Sequence, residues 1–230
     1  MLATLLFEVT SALYIVWRYH MSTLSRLVVA ILLCLAAFQG AEYMLCGGLG
    51  VGGGTWSKLG YSAITLLPPL GLHLAYVIAG KKNPWLLGAA YLSSAVFVGY
   101  FTFGVNAISG HTCYANYVVF DGSRGAMPWM SYALYYYGWL LVGVWKAFRF
   151  ASEQTKQVRR ALLSLGIGYA AFLVPTTIAN LVDRSTINGI PSIMCGFAVI
   201  LAFILVTRVL PDTCDEKQPR SVFSGMKLPF

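Results

Sequence analysis

Apolar residues fill the chain in seven runs, separated by short polar or glycine-rich stretches. The runs cover about 2–18, 26–46, 59–80, 84–106, 128–147, 160–181 and 189–209. A bilayer-crossing helix needs roughly 20 mostly apolar residues. No run shows the alternation in segments of about 10 residues that a membrane barrel requires. Only helices and closed barrels satisfy their own backbone in hydrocarbon. The pattern therefore predicts an all-α polytopic membrane protein. Residues 1–210 form a seven-transmembrane helix bundle, and residues 211–230 a short, partly disordered cytoplasmic tail.

Basic residues set the orientation. With the amino terminus outside, the cytoplasmic side receives Arg18, Arg26, Lys81, Lys82, Lys146, Arg149, Lys156, Arg159, Arg160, Arg208, Lys217, Arg220 and Lys227. The outside receives Lys58, Arg124 and Arg184. That is 13 against 3 of the 16 Lys and Arg residues, so the carboxyl terminus is expected in the cytoplasm. Residues 1–17 hold no Lys or Arg before the apolar stretch. A cleavable signal peptide begins with a basic segment, so the first run is read as a retained helix.

Composition agrees. The chain is 58% hydrophobic and 10% charged, with a mean hydropathy of +0.69, against about 25% charged residues in a soluble domain. The net charge of +8 sits between apolar runs. It is read as a topology signal and a contact for anionic lipid, not as a nucleic-acid surface. The protein is expected in a cell membrane, as a multi-pass chain of the bacterial inner membrane.

Several chemistries are excluded by counting. The histidines are His20 at a helix end, His111 in a loop and His73 inside a run. Bis-histidine haem and a three-histidine zinc centre both need more. Every lysine lies at a run end, in a loop or in the tail, so a retinal Schiff base has no lysine in the interior. Residues 47–54 are glycine-rich but lack the Gly-Lys-Ser/Thr of a phosphate loop. They read as a linker. No cofactor, metal or catalytic residue is expected, and the chain is read as non-enzymatic.

Cysteine usage divides by location. Cys34 and Cys195 lie within helices as small packing residues. Cys214 lies in the cytoplasmic tail. Cys46 and Cys113 both fall outside, where a disulfide would tie the second helix to the long loop over about 107–127. Sequence does not give its geometry, so bonded and free thiols both remain open.

Ionisable residues inside a membrane cost several kcal/mol unless paired or solvated. Three stand out: Glu8, Glu42 and His73. Counting rise per residue, Glu8 lies roughly 15 Å and His73 roughly 12 Å above the cytoplasmic edge. The match suggests an intramembrane polar pair, Glu8 with His73. Glu42 lies roughly 24 Å up, near the outer face. Gln39, Tyr43, Asn106, Tyr135 and Asn180 fall near it, with Asp183 beyond. An acidic group among aromatic rings suits a small cationic or amphipathic ligand arriving from outside. The alternative is that these groups only join helices or bind water. Pro68, Pro69 and Pro175 interrupt the third and sixth runs, as hinges or as static bends.

Trp56, Pro68-Pro69 with Leu72-His73-Leu74, and Arg208 closing the last run resemble the amino-terminal seven-transmembrane sensor region of bacterial membrane histidine kinases. Phe38-Gln39-Gly40-Ala41-Glu42-Tyr43, the proline-rich third run and Cys195 are similar to a related uncharacterised bacterial integral-membrane family, whose Cys-Phe-Ser motif is absent here. The resemblance implies a sensor-like bundle, and the missing kinase removes phosphotransfer. A receptor-like or ligand-binding bundle is thus expected, with output through a protein partner in the membrane or at its cytoplasmic face. The alternatives are a subunit of a larger membrane complex and a small proton-linked transporter using Glu8 and His73.

Overall fold

A computed structural model describes residues 1–47, 53–104, 108–114, 117–122, 126–182 and 189–214, without the side chains of 53, 109, 121, 122 and 126–128. The elements are α1 (Leu2–Arg18), α2 (Thr23–Cys46), α3 (Gly53–Thr65), α4 (Leu67–Ile78), α5 (Pro84–Phe103), β1 (Ile108–Cys113), β2 (Val118–Gly122), α6 (Ala126–Ala151), α7 (Lys156–Val182), α8 (Ile190–Ile204), a π turn (Leu205–Val209) and α9 (Leu210–Thr213). The fold is all-α apart from one hairpin. Five helical stretches are long and apolar enough to cross a membrane: Thr23–Cys46, Gly54–Ile78, Pro84–Phe103, Lys156–Val182 and Ile190–Thr213. The first expected span is 17 residues long. The fifth is diluted in hydropathy by Tyr132, Tyr135, Tyr136 and Tyr137.

Local sequence explains the joints. Ser22 caps α2 by accepting the Ser25 N–H at 3.3 Å. Asn83 caps α5 through the Leu86 N–H at 3.1 Å, with Pro84 following in the first turn, where a missing N–H costs nothing. Gly80 adopts φ +64° between α4 and that cap, a left-handed conformation that favours glycine.

The α3–α4 break is a proline effect. Pro68 and Pro69 have no N–H to give to the carbonyls of Ile64 and Thr65, four residues back. The chain turns at Leu66, whose N–H reaches only three residues back to Ala63. The freed Thr65 carbonyl is claimed from other helices. It accepts the Tyr135 hydroxyl at 2.6 Å and the Ser94 hydroxyl at 3.2 Å. The Tyr132 hydroxyl meets Thr65 Oγ1 at 3.1 Å. Orphaned membrane carbonyls need such side-chain partners.

Helix α2 is the spine and packs against α1, α3, α4 and α8. Its buried stripe runs Val28, Ile31, Leu32, Leu35, Phe38, Gln39 and Glu42. Positions 28, 35 and 42 share one face at seven-residue spacing, so Glu42 continues an apolar core row. Against α2, α1 buries Glu8, Ser11, Ala12 and Ile15. Small residues there let the two backbones approach closely.

The long loop expected over about 107–127 contains an antiparallel hairpin instead. Its register pairs His111 with Phe120 and Cys113 with Val118. Val118 and Phe120 alternate inward and are buried. The Phe120 ring lies 5.0 Å from Tyr61 and 6.1 Å from Phe38. A disulfide joins Cys46, the last residue of α2, to Cys113 at the end of β1. Gly189 leaves room for the Tyr117 ring, since a Cβ there would come within 2.8 Å of it. The hairpin is thus fastened to α2 and seated against the start of α8.

Candidate functional site

Three helices meet where the sequence places its acids. Helix α1 brings Glu8, α2 brings Gln39 and Glu42, and α8 brings Ser192 and Cys195. All five side chains are buried, Glu8 and Glu42 at 0% and 1% exposure. The Thr4 hydroxyl lies 3.0 Å from Gln39 Oε1 and 2.7 Å from the Met1 carbonyl. That contact fixes the antiparallel register of α1 against α2. It places Glu8 one turn below Thr4, and Glu42 nearly one turn above Gln39. The result is a polar column within the bundle: Glu42, then Gln39 with Thr4, then Glu8. The two carboxyls are close enough for their charges to act on one another, and both act on Cys195.

Partners are few. Ser192 lies close enough to Glu42 to interact with its carboxyl, and its oxygen accepts the Val118 N–H of β2 at 2.9 Å. Both oxygens of Glu8 and Oε1 of Glu42 are buried without a hydrogen-bond partner. Burying an unpaired carboxylate is among the largest penalties a fold can carry. These groups must be neutral, or must share a cation, whenever the bundle is closed as here. No group of three or more His, Cys, Asp or Glu side chains with metal-binding geometry occurs among the described residues.

An aromatic cluster lies beside the Glu42 end of the column. Tyr61 is buried within electrostatic reach of Glu42. Its ring contacts Phe101 at 4.9 Å, Trp129 at 5.5 Å and Tyr132 at 6.1 Å. The Trp129 Nε1 is buried without a partner. A void of about 10 Å³ lies beside Cys195, lined also by Leu35, Tyr136 and Met194 but not by Glu8 or Glu42. That volume is barely one water.

The expected site residues part company here. Gln39 and Glu42 lie together, and Glu8 joins them. Tyr135 turns its hydroxyl to the Thr65 carbonyl. Tyr43 is half-buried, with its ring against Gly47. Asn180 is half-buried with Oδ1 unpartnered. Asn106 and Asp183 lie outside the described residues. The Glu8–His73 pair does not form. His73 Nδ1 lies 3.1 Å from the Tyr91 hydroxyl of α5, whereas Glu8 sits on the α1 face that packs on α2 and α8. Matched height along two helices does not fix the direction in which each side chain points.

Ser192, Cys195, Thr4 and Tyr61 are site residues that sequence reasoning missed. One signal was available: Ser192 and Cys195 share an α8 face at spacing three, a polar and a polarisable residue in an otherwise apolar row. Comparison with known protein families, with characterised proteins and with solved structures gives no match for this chain.

Proposed function

We propose that this chain is a non-enzymatic seven-helix membrane protein that binds a small cationic or amphipathic molecule at Glu42 and Glu8, beneath the hairpin. One observation carries the reading. Two fully buried carboxyls share a column with three of their oxygens unpartnered, and an aromatic cluster lies beside its Glu42 end. A cation desolvated next to carboxylates and ring faces gains from both. Both carboxyls are fully buried, so binding requires the packing around them to open. Ser192 connects the hairpin to this site, since it accepts the hairpin amide and lies beside the Glu42 carboxyl.

The membrane placement of all seven helices rests on their outer faces. Helix α1 presents Leu6, Leu13 and Trp17, and α6 presents Met130, Leu134 and Leu141, all exposed to the surroundings of the bundle. Such faces suit lipid. Orientation rests on the basic residues and on the disulfide. A Cys46–Cys113 bond persists on the non-cytoplasmic side, where thiols oxidise. Output is proposed to pass through a protein partner in the membrane or at its cytoplasmic face.

Intact mass measurement on the gently extracted full chain tests the proposal. We expect one copy to retain a small cation-bearing molecule. We expect Glu42→Gln to lose it while running as the same species on gel filtration. A Glu42→Gln protein that keeps the molecule would sink the proposal. Stoichiometric partner chains with nothing bound inside would instead make this an accessory subunit.

A further inference from the structure

At the end of the bundle away from the hairpin, α7 and the π turn enclose a recess of about 260 Å³. Its walls are Arg160, Leu163 and Ser164 from α7, and Thr207, Arg208, Pro211 and Asp212 from the last helix. The backbone explains the opening. Pro211 has no N–H for the carbonyl of Thr207, four residues back. The helix relaxes into a π turn over Leu205–Val209, and the Leu210 N–H reaches back five residues to Leu205. Such turns widen a helix and recur at functional sites.

We infer that this recess binds a phosphate group. Two guanidinium groups enter it from different helices, and planar forks on two sides match phosphate oxygens. Arg160 is partly engaged, with Nη2 3.4 Å from Asp212 Oδ1. Among the described residues, Arg208 has no ion-pair or hydrogen-bond partner and the Ser164 hydroxyl has none either. The Thr207 hydroxyl already donates to the Phe203 carbonyl at 2.7 Å, so its oxygen is left to accept. One Asp against two Arg leaves a net positive recess for an anion.

The same chemistry is offered by a phospholipid headgroup and by a soluble phosphate. Next to the recess, one turn toward the middle of the bundle, Ile167 and Phe203 are both 56% exposed. An acyl chain hanging from a headgroup would lie along them. Basic pockets between helices at a membrane surface hold anionic headgroups in this way. The inference rests on the bundle lying in a membrane, and not on the Glu42 site.

The test uses the full chain in detergent, with phosphatidylglycerol or phosphatidylcholine added and retained lipid counted by intact mass. We expect phosphatidylglycerol to be held preferentially. Arg160→Gln and Arg208→Gln should each weaken retention about fivefold, from roughly one basic contact apiece. Arg159→Gln, a neighbouring charge that does not line the recess, should change it less than about twofold. Asp212→Asn removes the competing carboxylate and should tighten retention, a gain that misfolding cannot mimic. Displacement of the lipid by inorganic phosphate would make a soluble phosphate the occupant, and resistance to displacement would make it the lipid. Equal loss with Arg159→Gln and Arg208→Gln, no preference for phosphatidylglycerol, or no gain with Asp212→Asn would overturn the inference.

Discussion

The Tyr135 hydroxyl donates to the Thr65 carbonyl at 2.6 Å, the carbonyl that Pro69 cannot serve. The bond crosses from α6 to the α3–α4 break and repairs it from outside the helix. Tyr135→Phe should therefore destabilise the protein by about 1 kcal/mol, softened because Ser94 also donates there. Pro69→Ala restores a local donor. In the Pro69→Ala background the cost of Tyr135→Phe should fall toward zero. Denaturation midpoints of the four proteins in one double-mutant cycle check this, and additive costs would refute it.

Gly71 and Tyr169 share one volume. A Cβ at position 71 would strike the Tyr169 hydroxyl and ring, and Tyr169 is buried. Gly71→Ala should cost about 1–3 kcal/mol, as overpacking does. Tyr169→Leu in the same chain should recover a large part of it. Thermal midpoints of the single and double variants decide the matter.

The Cys46–Cys113 bond closes a sequence separation of 67 residues. Cross-linking so long a stretch is expected to stabilise by about 2–4 kcal/mol. A reducing agent should lower the unfolding midpoint of the native chain and leave a Cys46→Ser, Cys113→Ser protein unmoved. Amide exchange should quicken first in β1 and β2, which the bond holds to α2. Equal midpoints in both redox states would show that burial of Val118 and Phe120 alone holds the hairpin.

Lys81 forms an ion pair with Glu153, linking the α4–α5 turn to the end of α6. The Lys81 ammonium, by hydrogen bond and charge, holds the Glu153 carboxyl below its usual range. A depressed folded value means the pair contributes above the unfolded carboxylate value of about 4.3 and is lost as pH falls through the folded one. Glu153→Gln should lower the thermal midpoint slightly at neutral pH and not at all in strong acid. The effect is small, because both partners are exposed and screened. A difference that grows toward acid would contradict the pairing.

Much of this was legible in the chain. Apolar runs locate the helices because lipid demands continuous stretches, although α6 runs on to Ala151 and α7 begins at Lys156, beyond the apolar limits. Glu42 was visible as an acid in an apolar run, and its seven-residue spacing from Val28 and Leu35 marks it as inward. Glu8 was visible too, but its neighbour was not. Residue counting gives height, and the partner depends on which helices touch. The hairpin was hidden because Val118-Val119-Phe120 is a β-branched and aromatic run too short to stand out beside spans of 20 apolar residues. The π turn was hidden because Pro211 looks like an ordinary stop after a helix.

The hairpin's two anchors lie on either side of it in the chain, and that sets an order of assembly. Cys46 emerges before the strands, so the disulfide can close as soon as β1 has been made. Ser192 is made some seventy residues after Val118, after α1 to α7 have been synthesised. The amide of Val118 therefore waits for α8, and the acids of α1 and α2 stay accessible until the last helix arrives. A chain halted before α8 would hold both cysteines of the bond but lack Ser192. Arrival of α8 is what buries Glu42 from that side.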